Sequence, residues 1–405
     1  MKLLKVSVPN FRNLKNVELT FEPSLKPAVF PIGSENGGGK STLLQLIFVL
    51  LTCSLDDDKT EFLENFLSSV KDDSLIAKIE LIYQEQIIDL TFECITNSNN
   101  EYKELTDLLK TQDKYIENFE NIKDKRILIP RDTREIKEWK TRIKQIESRI
   151  LDFQNNRKIL LVNPLIDYKK YLIIKTNSDD HQISYRMLKY AAKHTYLVTP
   201  PTQIFLFLDK EVKKSMDSNF AEYYNKVNDI REKISNIYIY NQLSIIAITH
   251  AFKQAKEQDF KTALDNDNLE YGTALKELAE DFHDFLGNDK DIKPSSDMTS
   301  IIVKRKISEN EVIELEPEEL SHGELKRLGL YAWIKYNNIN DSIILIDEIE
   351  NGLHPDWQYN IVNELASWGD NQYLLATHSF YLCEALTPGH VKIIKPKLSD
   401  PMSKK

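Results

Sequence analysis

The densest chemistry in this chain lies in ten consecutive residues, Gly33-Ser34-Glu35-Asn36-Gly37-Gly38-Gly39-Lys40-Ser41-Thr42. Glycines in such a run let successive backbone N–H groups turn inward around a phosphate, at the positive end of a following helix. Lys40 is then placed to reach the β- and γ-phosphates of a nucleoside triphosphate, and Ser41 to hold Mg²⁺. The run departs from the formal pattern at its entry, where Ser34 stands in place of the first glycine and Gly33 comes one residue early. Far downstream, Ser342-Ile343-Ile344-Leu345-Ile346-Asp347-Glu348 is an apolar stretch too short for a globular helix that ends in two carboxylates. Such a stretch suits a central strand of a parallel sheet, whose carboxyl end is where ligands bind. There Asp347 would act on Mg²⁺, directly or through water, and Glu348 would polarise an attacking water as general base.

Two further stretches fit the same chemistry. Leu320-Ser321-His322-Gly323-Glu324 precedes an apolar-patterned helix. Its Ser321 and Gly323 would offer a hydroxyl and free N–H groups to an anion. Taken alone it also reads as an ordinary capping box. A second phosphate site makes sense if it meets the γ-phosphate of a nucleotide held by another copy. Ala376-Thr377-His378-Ser379 follows a short apolar strand. From that place His378 would donate to a γ-phosphate and link it to the water-activating carboxylate.

The elements that must position these groups fall into three stretches. Residues 1–99 read as strands around one helix: Leu3–Val8, Val17–Phe21 and Ala28–Ile32, a helix from Lys40 to Leu51, and a hairpin of Ile76–Tyr83 with Ile87–Ile95 around Gln84-Glu85-Gln86. Residues 100–299 are glycine-poor, charge-rich and read as mainly helical. Ile136, Trp139, Ile143, Ile146, Ile150 and Phe153 form one heptad seam, and Met216, Phe220, Tyr223, Val227, Ile230, Ile234 and Ile237 form another. Residues 134–158 and 212–240 therefore read equally as a short antiparallel coiled-coil arm or as two bundle helices. Residues 300–405 return to α/β character, with strands at Ile301–Ile307, Val312–Leu315, Ser342–Ile346 and Tyr373–Ala376 and helices at Glu324–Tyr336 and Trp357–Trp368. The expectation is one α/β domain assembled from both chain ends, with the helical stretch inserted into it.

Composition narrows the class. The 405 residues are 41% hydrophobic and 29% charged, which is globular rather than disordered. No apolar run approaches the ~20 residues of a membrane helix, and the N-terminus reads as a strand rather than a signal peptide. Three scattered cysteines, Cys53, Cys94 and Cys383, form no zinc or disulfide pattern and fit a reducing cytoplasm. The net charge of −10 argues against a blanket nucleic-acid coat. Between Lys123 and Arg149, however, ten basic residues face five acidic ones, which is either a local nucleic-acid patch or a solvated helix face.

Taken together, the phosphate loop, the Leu-Ser-X-Gly-Glu stretch, the apolar-Asp-Glu strand, the Asn351-Gly352-Leu353-His354-Pro355 turn and Thr377-His378 resemble the heads of ABC-type ATPases. The opening Val6-Ser7-Val8-Pro9-Asn10-Phe11-Arg12-Asn13-Leu14 is similar to the RecF, SMC and break-repair branch. Asp347-Glu348-Ile349-Glu350-Asn351-Gly352-Leu353-His354-Pro355 looks most like stand-alone bacterial anti-phage ATPases of the OLD, Septu and retron-associated kinds. The resemblance covers residues 1–95 and 300–380. It implies a P-loop ABC-type head with a mixed sheet and flanking helices. It also implies ATP and Mg²⁺ as ligands and two heads sandwiching two ATP molecules, each site using one copy's P-loop and the other's Ser321 and Gly323. Arg12 would approach the nucleotide. The glutamine loop of such heads has three candidates here, Gln84, Gln86 and Gln203.

The expected function is an ATP-hydrolysing switch in bacterial anti-phage defence. It would act with a separately encoded nuclease or toxin effector, with DNA or RNA as a further partner, in the cytoplasm and away from membranes. The alternative is a DNA-repair or recombination ATPase of the RecF/SMC class. A nuclease domain after His378 is not expected, because only residues 379–405 follow it. A transporter subunit is not expected either, because the span between Thr42 and Leu320 is far longer than such subunits use.

Overall fold

The structure is a computed structural model. It describes residues 1–124, 134–165, 169–201, 225, 228, 233–234, 236–240, 243–265, 272–287, 289–309 and 311–394. The chain opens with β1 (Lys2–Phe11), β2 (Leu14–Thr20), β3 (Val29–Gly33), α1 (Lys40–Thr52), α2 (Thr60–Leu67), β4 (Ser74–Tyr83) and β5 (Gln86–Thr96). The middle carries α3 (Lys103–Asp124), α4 (Arg134–Asn156), β6 (Ile159–Leu165), β7 (Lys170–Thr176), α5 (His181–His194), β8 (Thr195–Thr199), β9 (Ile237–Ile239), α6 (Ser244–Asp265) and α7 (Thr273–Leu286). The last part carries β10 (Lys290–Pro294), β11 (Ile301–Ser308), β12 (Glu311–Leu315), α8 (His322–Tyr336), β13 (Ile343–Asp347), α9 (Pro355–Ser367), β14 (Gln372–Ala376), α10 (Phe380–Glu384) and β15 (Lys392–Ile393). The chain divides into two compact units.

The larger unit takes residues 1–2, 21–48 and 193–405, so it joins the two ends of the chain. Its main sheet runs β15-β3-β14-β13-β8-β9 with every pairing parallel. β13 and β14 are buried at all five positions, as central parallel strands covered on both faces must be. Tyr238, Ile248, Phe252, Phe282, Leu328, Tyr331, Ile344, Ile346 and Leu375 share one core, tying α6, α7 and α8 to the sheet. A small antiparallel sheet, β10-β11-β12, completes the unit.

The smaller unit takes residues 3–20 and 49–192 and is built on the sheet β2-β1-β4-β5-β7-β6. The β4–β5 hairpin turns on Gln84 and Glu85, both in the left-handed region at φ 48° and 64°, which is the two-residue turn whose twist matches a hairpin. Tyr102, Leu105 and Leu108 of α3, the first of them just before that helix, and Ile150 and Phe153 of α4 share a buried cluster with Ile95, Ile159, Tyr171 and Ile173 of this sheet.

One expectation meets a different arrangement, and another falls largely outside the described residues. The stretch read as mainly helical contributes β6 and β7 to one sheet and β8 and β9 to the other, with β8 hydrogen-bonded directly to β13. The α4 seam packs against α3: Tyr115 stacks edge-on against Trp139 at 5.1 Å, and Arg149 pairs with Glu104 at 2.8 Å. Most of the second seam, 212–240, and Gln203 lie outside the described residues.

Candidate functional site

Strand register builds the site. Asp347 pairs with Ala376, and Ala376 with Ile32, so three neighbouring strands end at one level. From these ends emerge the phosphate loop, the acidic pair and Thr377-His378, and all of them lie in the larger unit.

The loop has the backbone that phosphate binding needs. Gly37 and Gly39 take φ of 75° and 95°, values open to glycine and costly for other residues. A Cβ on Gly38 would fall 2.5 Å from Ser34 Oγ and 3.0 Å from the Glu35 carbonyl. Ser34 itself needs no left-handed backbone, which explains why the missing first glycine is tolerated. Its hydroxyl donates to the Glu35 carbonyl at 2.9 Å and accepts from Lys40 Nζ at 3.3 Å. Thr42 lies in the first turn of α1.

Lys40 Nζ also donates to His378 Nε2 at 2.7 Å. An ammonium can only donate, so Nε2 accepts and the ring proton sits on Nδ1. Burial lowers the Lys40 pKa, against the pull of Asp347, Glu350 and Glu348. Ser41 Oγ donates to Asp347 Oδ1 at 3.0 Å. Asp347 is 2% exposed, and its Oδ2 has no hydrogen-bond partner among the described residues. Burial above all, with Glu348 and Glu350 adding, pushes its pKa up to about 6 against the opposing Ser41 hydrogen bond and Lys40. A buried carboxylate oxygen without a donor, beside a serine hydroxyl, fits a hard divalent cation. Among the described residues no group of three or more His, Cys, Asp or Glu could cage a metal. A cation held here would rest on few protein oxygens plus phosphate and water, which is the habit of Mg²⁺.

The turn after β13 holds the second carboxylate in an unusual backbone. Glu348 sits at φ 54°, a left-handed conformation that costs a side-chain-bearing residue about 1–2 kcal/mol. Four interactions hold it there. The Glu348 N–H donates to the Ala376 carbonyl at 3.0 Å, and the Asn351 amide N–H donates to the Glu348 carbonyl at 3.3 Å. Asn351 Nδ2 donates to Glu348 Oε2 at 2.7 Å. Lys326, from α8, donates to the carbonyls of Glu348 and Asn351 at 2.8 and 3.2 Å. Glu350 turns inward, where its Oε1 accepts from the His378 backbone N–H at 2.7 Å. Glu348 and His378 share no hydrogen bond among the described residues, so Glu350 is what ties the His378 backbone to this turn.

Ser321 caps α8 in a reciprocal box. Its hydroxyl accepts from the Glu324 N–H at 3.3 Å, and Glu324 Oε2 accepts from the Ser321 N–H at 2.9 Å. The capping reading of this stretch therefore holds, while Ser321 stays exposed at the helix tip. Gly323 is buried against the 351–353 turn, and a Cβ there would meet the Gly352 carbonyl at 2.4 Å. Arg12 lies in the smaller unit. Its guanidinium donates to the Phe66 carbonyl at 2.9 Å and stands 4.4 Å over the Phe66 ring.

Sequence reasoning gave no role of their own to Lys326, Glu350 and Asn351. Lys326 is 5% exposed, and burial lowers its pKa to about 7 against the pull of Glu350, Glu348 and Asp347. The available signal was the helix itself, where Lys326-Arg327 lies between Leu325 and Leu328 in a segment buried almost all round.

The comparisons with known proteins agree with this geometry. Residues 35–384 match the family profile described as "AAA domain, putative AbiEii toxin, Type IV TA system". The chain is 25% identical to the retron Vc95 probable ATPase of Vibrio cholerae serotype O1 biovar El Tor, over 97% of this chain and 73% of that protein. It is 24% identical to the retron Ec83 probable ATPase of Escherichia coli, over 56% of this chain and 37% of that protein. Among solved structures, an SMC head bound to the C-winged helix domain of ScpA matches with a TM-score of 0.40 and 9% identity, over 95% of this chain and 92% of that one. The recombination mediator RecF with ATPrS matches with a TM-score of 0.35 and 13% identity, over 94% and 93%. The resemblance to retron-associated bacterial ATPases is borne out, and the chain belongs to this AAA-domain family of ATPases.

Proposed function

We propose that the chain is an ATP-driven switch whose complete hydrolytic site forms between two copies. The observation that supports it best is the meeting of three strand ends at one level, with Gly33, Asp347 and His378 around one spot. The Gly37–Gly39 amides, the Ser34–Asn36 backbone, Lys40 and Thr42 would hold the phosphates of ATP. Ser41 and Asp347 would hold Mg²⁺, which neutralises charge on the β- and γ-phosphates when bound. Glu348 takes a proton from the attacking water as its oxygen bonds to the γ-phosphorus and the bond to the β–γ bridging oxygen breaks, releasing ADP and phosphate. His378 leaves Lys40 to meet the γ-phosphate. Ser321 and Gly323 of a second copy close the site, and the exposed Ser321 cap supports this. For Arg12 the family resemblance alone supports a nucleotide contact.

The biological role we propose is anti-phage defence, in the cytoplasm, with a separately encoded nuclease or toxin effector. The retron-associated relatives support it. A nucleic-acid partner is favoured by the α3–α4 pair, where Lys110, Lys114 and Arg142 surround the half-exposed Tyr115–Trp139 pair.

The test is Glu348→Gln. Turnover should fall by roughly 10²–10⁴-fold while ATP binding persists and the associated state accumulates. Wild-type turnover in this variant would show that the base lies elsewhere. For the role, plating of phage on cells carrying this gene and its neighbour should drop, and Glu348→Gln should restore it.

A further inference from the structure

The Lys326 side-chain nitrogen meets protein on three sides. It donates to the carbonyls of Glu348 and Asn351, and the ammonium stands 3.7 Å from the centroid of the Tyr240 ring. Both carbonyls belong to the one turn that carries Glu348, and the Glu348 carbonyl also accepts the Asn351 N–H. Asn351 in turn holds the Glu348 carboxylate through Nδ2. One cation thus fixes the backbone of both the carboxylate and the amide that orients it. Tyr240, on which the ammonium rests, is 4% exposed and closes the third side.

We infer that Lys326 is a positioning residue for the hydrolytic step: it holds the Glu348–Asn351 turn in the left-handed conformation that aims the Glu348 carboxylate. This rests on the reading of Glu348 as the base. A cation elsewhere in α8 could balance charge equally well, but only one donating to these two carbonyls can set the turn. Catalytic bases depend steeply on placement, and an error of about 1 Å costs roughly 10²-fold in rate. The phosphate-loop residues that would hold ATP lie on another segment, so the effect falls mainly on kcat rather than on KM.

The experiment measures steady-state ATP hydrolysis and the affinity for a fluorescent ATP analogue with the full-length protein, in wild type, Lys326→Met, Lys326→Arg, Glu348→Gln and Lys326→Met/Glu348→Gln. Lys326→Met keeps the side-chain length and removes every donor. It should lower kcat by roughly 10²-fold with KM and analogue affinity within about threefold. Lys326→Arg, which restores two donors, should regain at least a tenth of wild-type kcat. The double variant should be no slower than Glu348→Gln, since Lys326 acts only through that carboxylate. Should Lys326→Met fail to fold, Lys326→Gln, with a shorter neutral donor, is judged by the same split. A slow Glu348→Gln beside a normal kcat in the Lys326 variants overturns this inference alone, as does a double variant whose losses multiply. A normal Glu348→Gln overturns the reading beneath it.

Discussion

Replacing Asp347 by asparagine should change how stability depends on pH, by an amount the burial of this side chain sets. Its carboxyl stands at about pKa 6 in the fold, against an ordinary value of 3.8. For an acid whose folded pKa is raised, the folded state keeps a proton that the unfolded chain has released. Its contribution is therefore fully present below pH 3.8 and is lost as the pH rises through 6. The whole shift corresponds to about 3 kcal/mol, of which about 2 kcal/mol falls between about pH 4.5 and about pH 8. Asparagine has no such titration. Whatever it costs in lost fit is the same at both pH values, so the change in the difference between wild type and variant is the informative quantity. The introduced amide need not be well packed for the comparison to work. Urea unfolding in the presence of a chelator, followed by tryptophan fluorescence, reads it well because Trp333, Trp357 and Trp368 lie in the same unit as Asp347. The variant should gain about 2 kcal/mol relative to wild type on going from about pH 4.5 to about pH 8. Adding Mg²⁺ and ATP at the higher pH should then stabilise wild type more than Asp347→Asn. A difference that stays flat with pH would show that this carboxyl is not held protonated by its surroundings, and the cation-site reading would lose its electrostatic ground.

Two other outcomes follow from the geometry. Gly323→Ala places a methyl 2.4 Å from the Gly352 carbonyl, a backbone atom that cannot step aside. It should cost about 1–3 kcal/mol in thermal unfolding, whereas a tolerated substitution would mean that α8 and the 351–353 turn are not in close contact. Reversing the charges of Lys137, Lys140 and Lys144 should weaken binding to single-stranded DNA and lower the salt dependence of log K by about two. Unchanged binding in a filter or anisotropy assay would mark that face as merely solvated.

How much was legible in the sequence depended on how locally each device is written. The phosphate loop and the acidic strand end are runs of adjacent residues, and Ile343–Asp347 could be read as a buried strand because its apolar run is short and unbroken. The helix boundary at Ser321 was visible through its serine and glutamate three apart. What stayed hidden depends on partners far away in the chain. Lys326 looks like a surface lysine until the Glu348 and Asn351 carbonyls, on the turn after β13, are seen to receive it. Glu350 looks like one more acid after the pair until His378 donates to it. β8 escaped notice because Thr195–Thr199 is short and sits within a charged, helix-rich stretch, and only its pairing with β13 makes it a strand. Spacing along α4 does not name a partner: among the described residues it packs on α3, whose Leu105 and Leu108, with Tyr102 just before it, share the buried cluster.

Mixing two inactive variants tests the shared site most directly. Lys40→Ala disables one copy's phosphate loop and Ser321→Arg disables the other copy's helix tip, so each protein alone should be inactive. In a mixed pair one site keeps both wild-type halves, and random pairing in a symmetric dimer predicts that equal amounts recover about a quarter of wild-type ATP hydrolysis. Two variants that stay inactive when mixed, or a Ser321→Arg protein that hydrolyses ATP normally on its own at every concentration, would contradict the account.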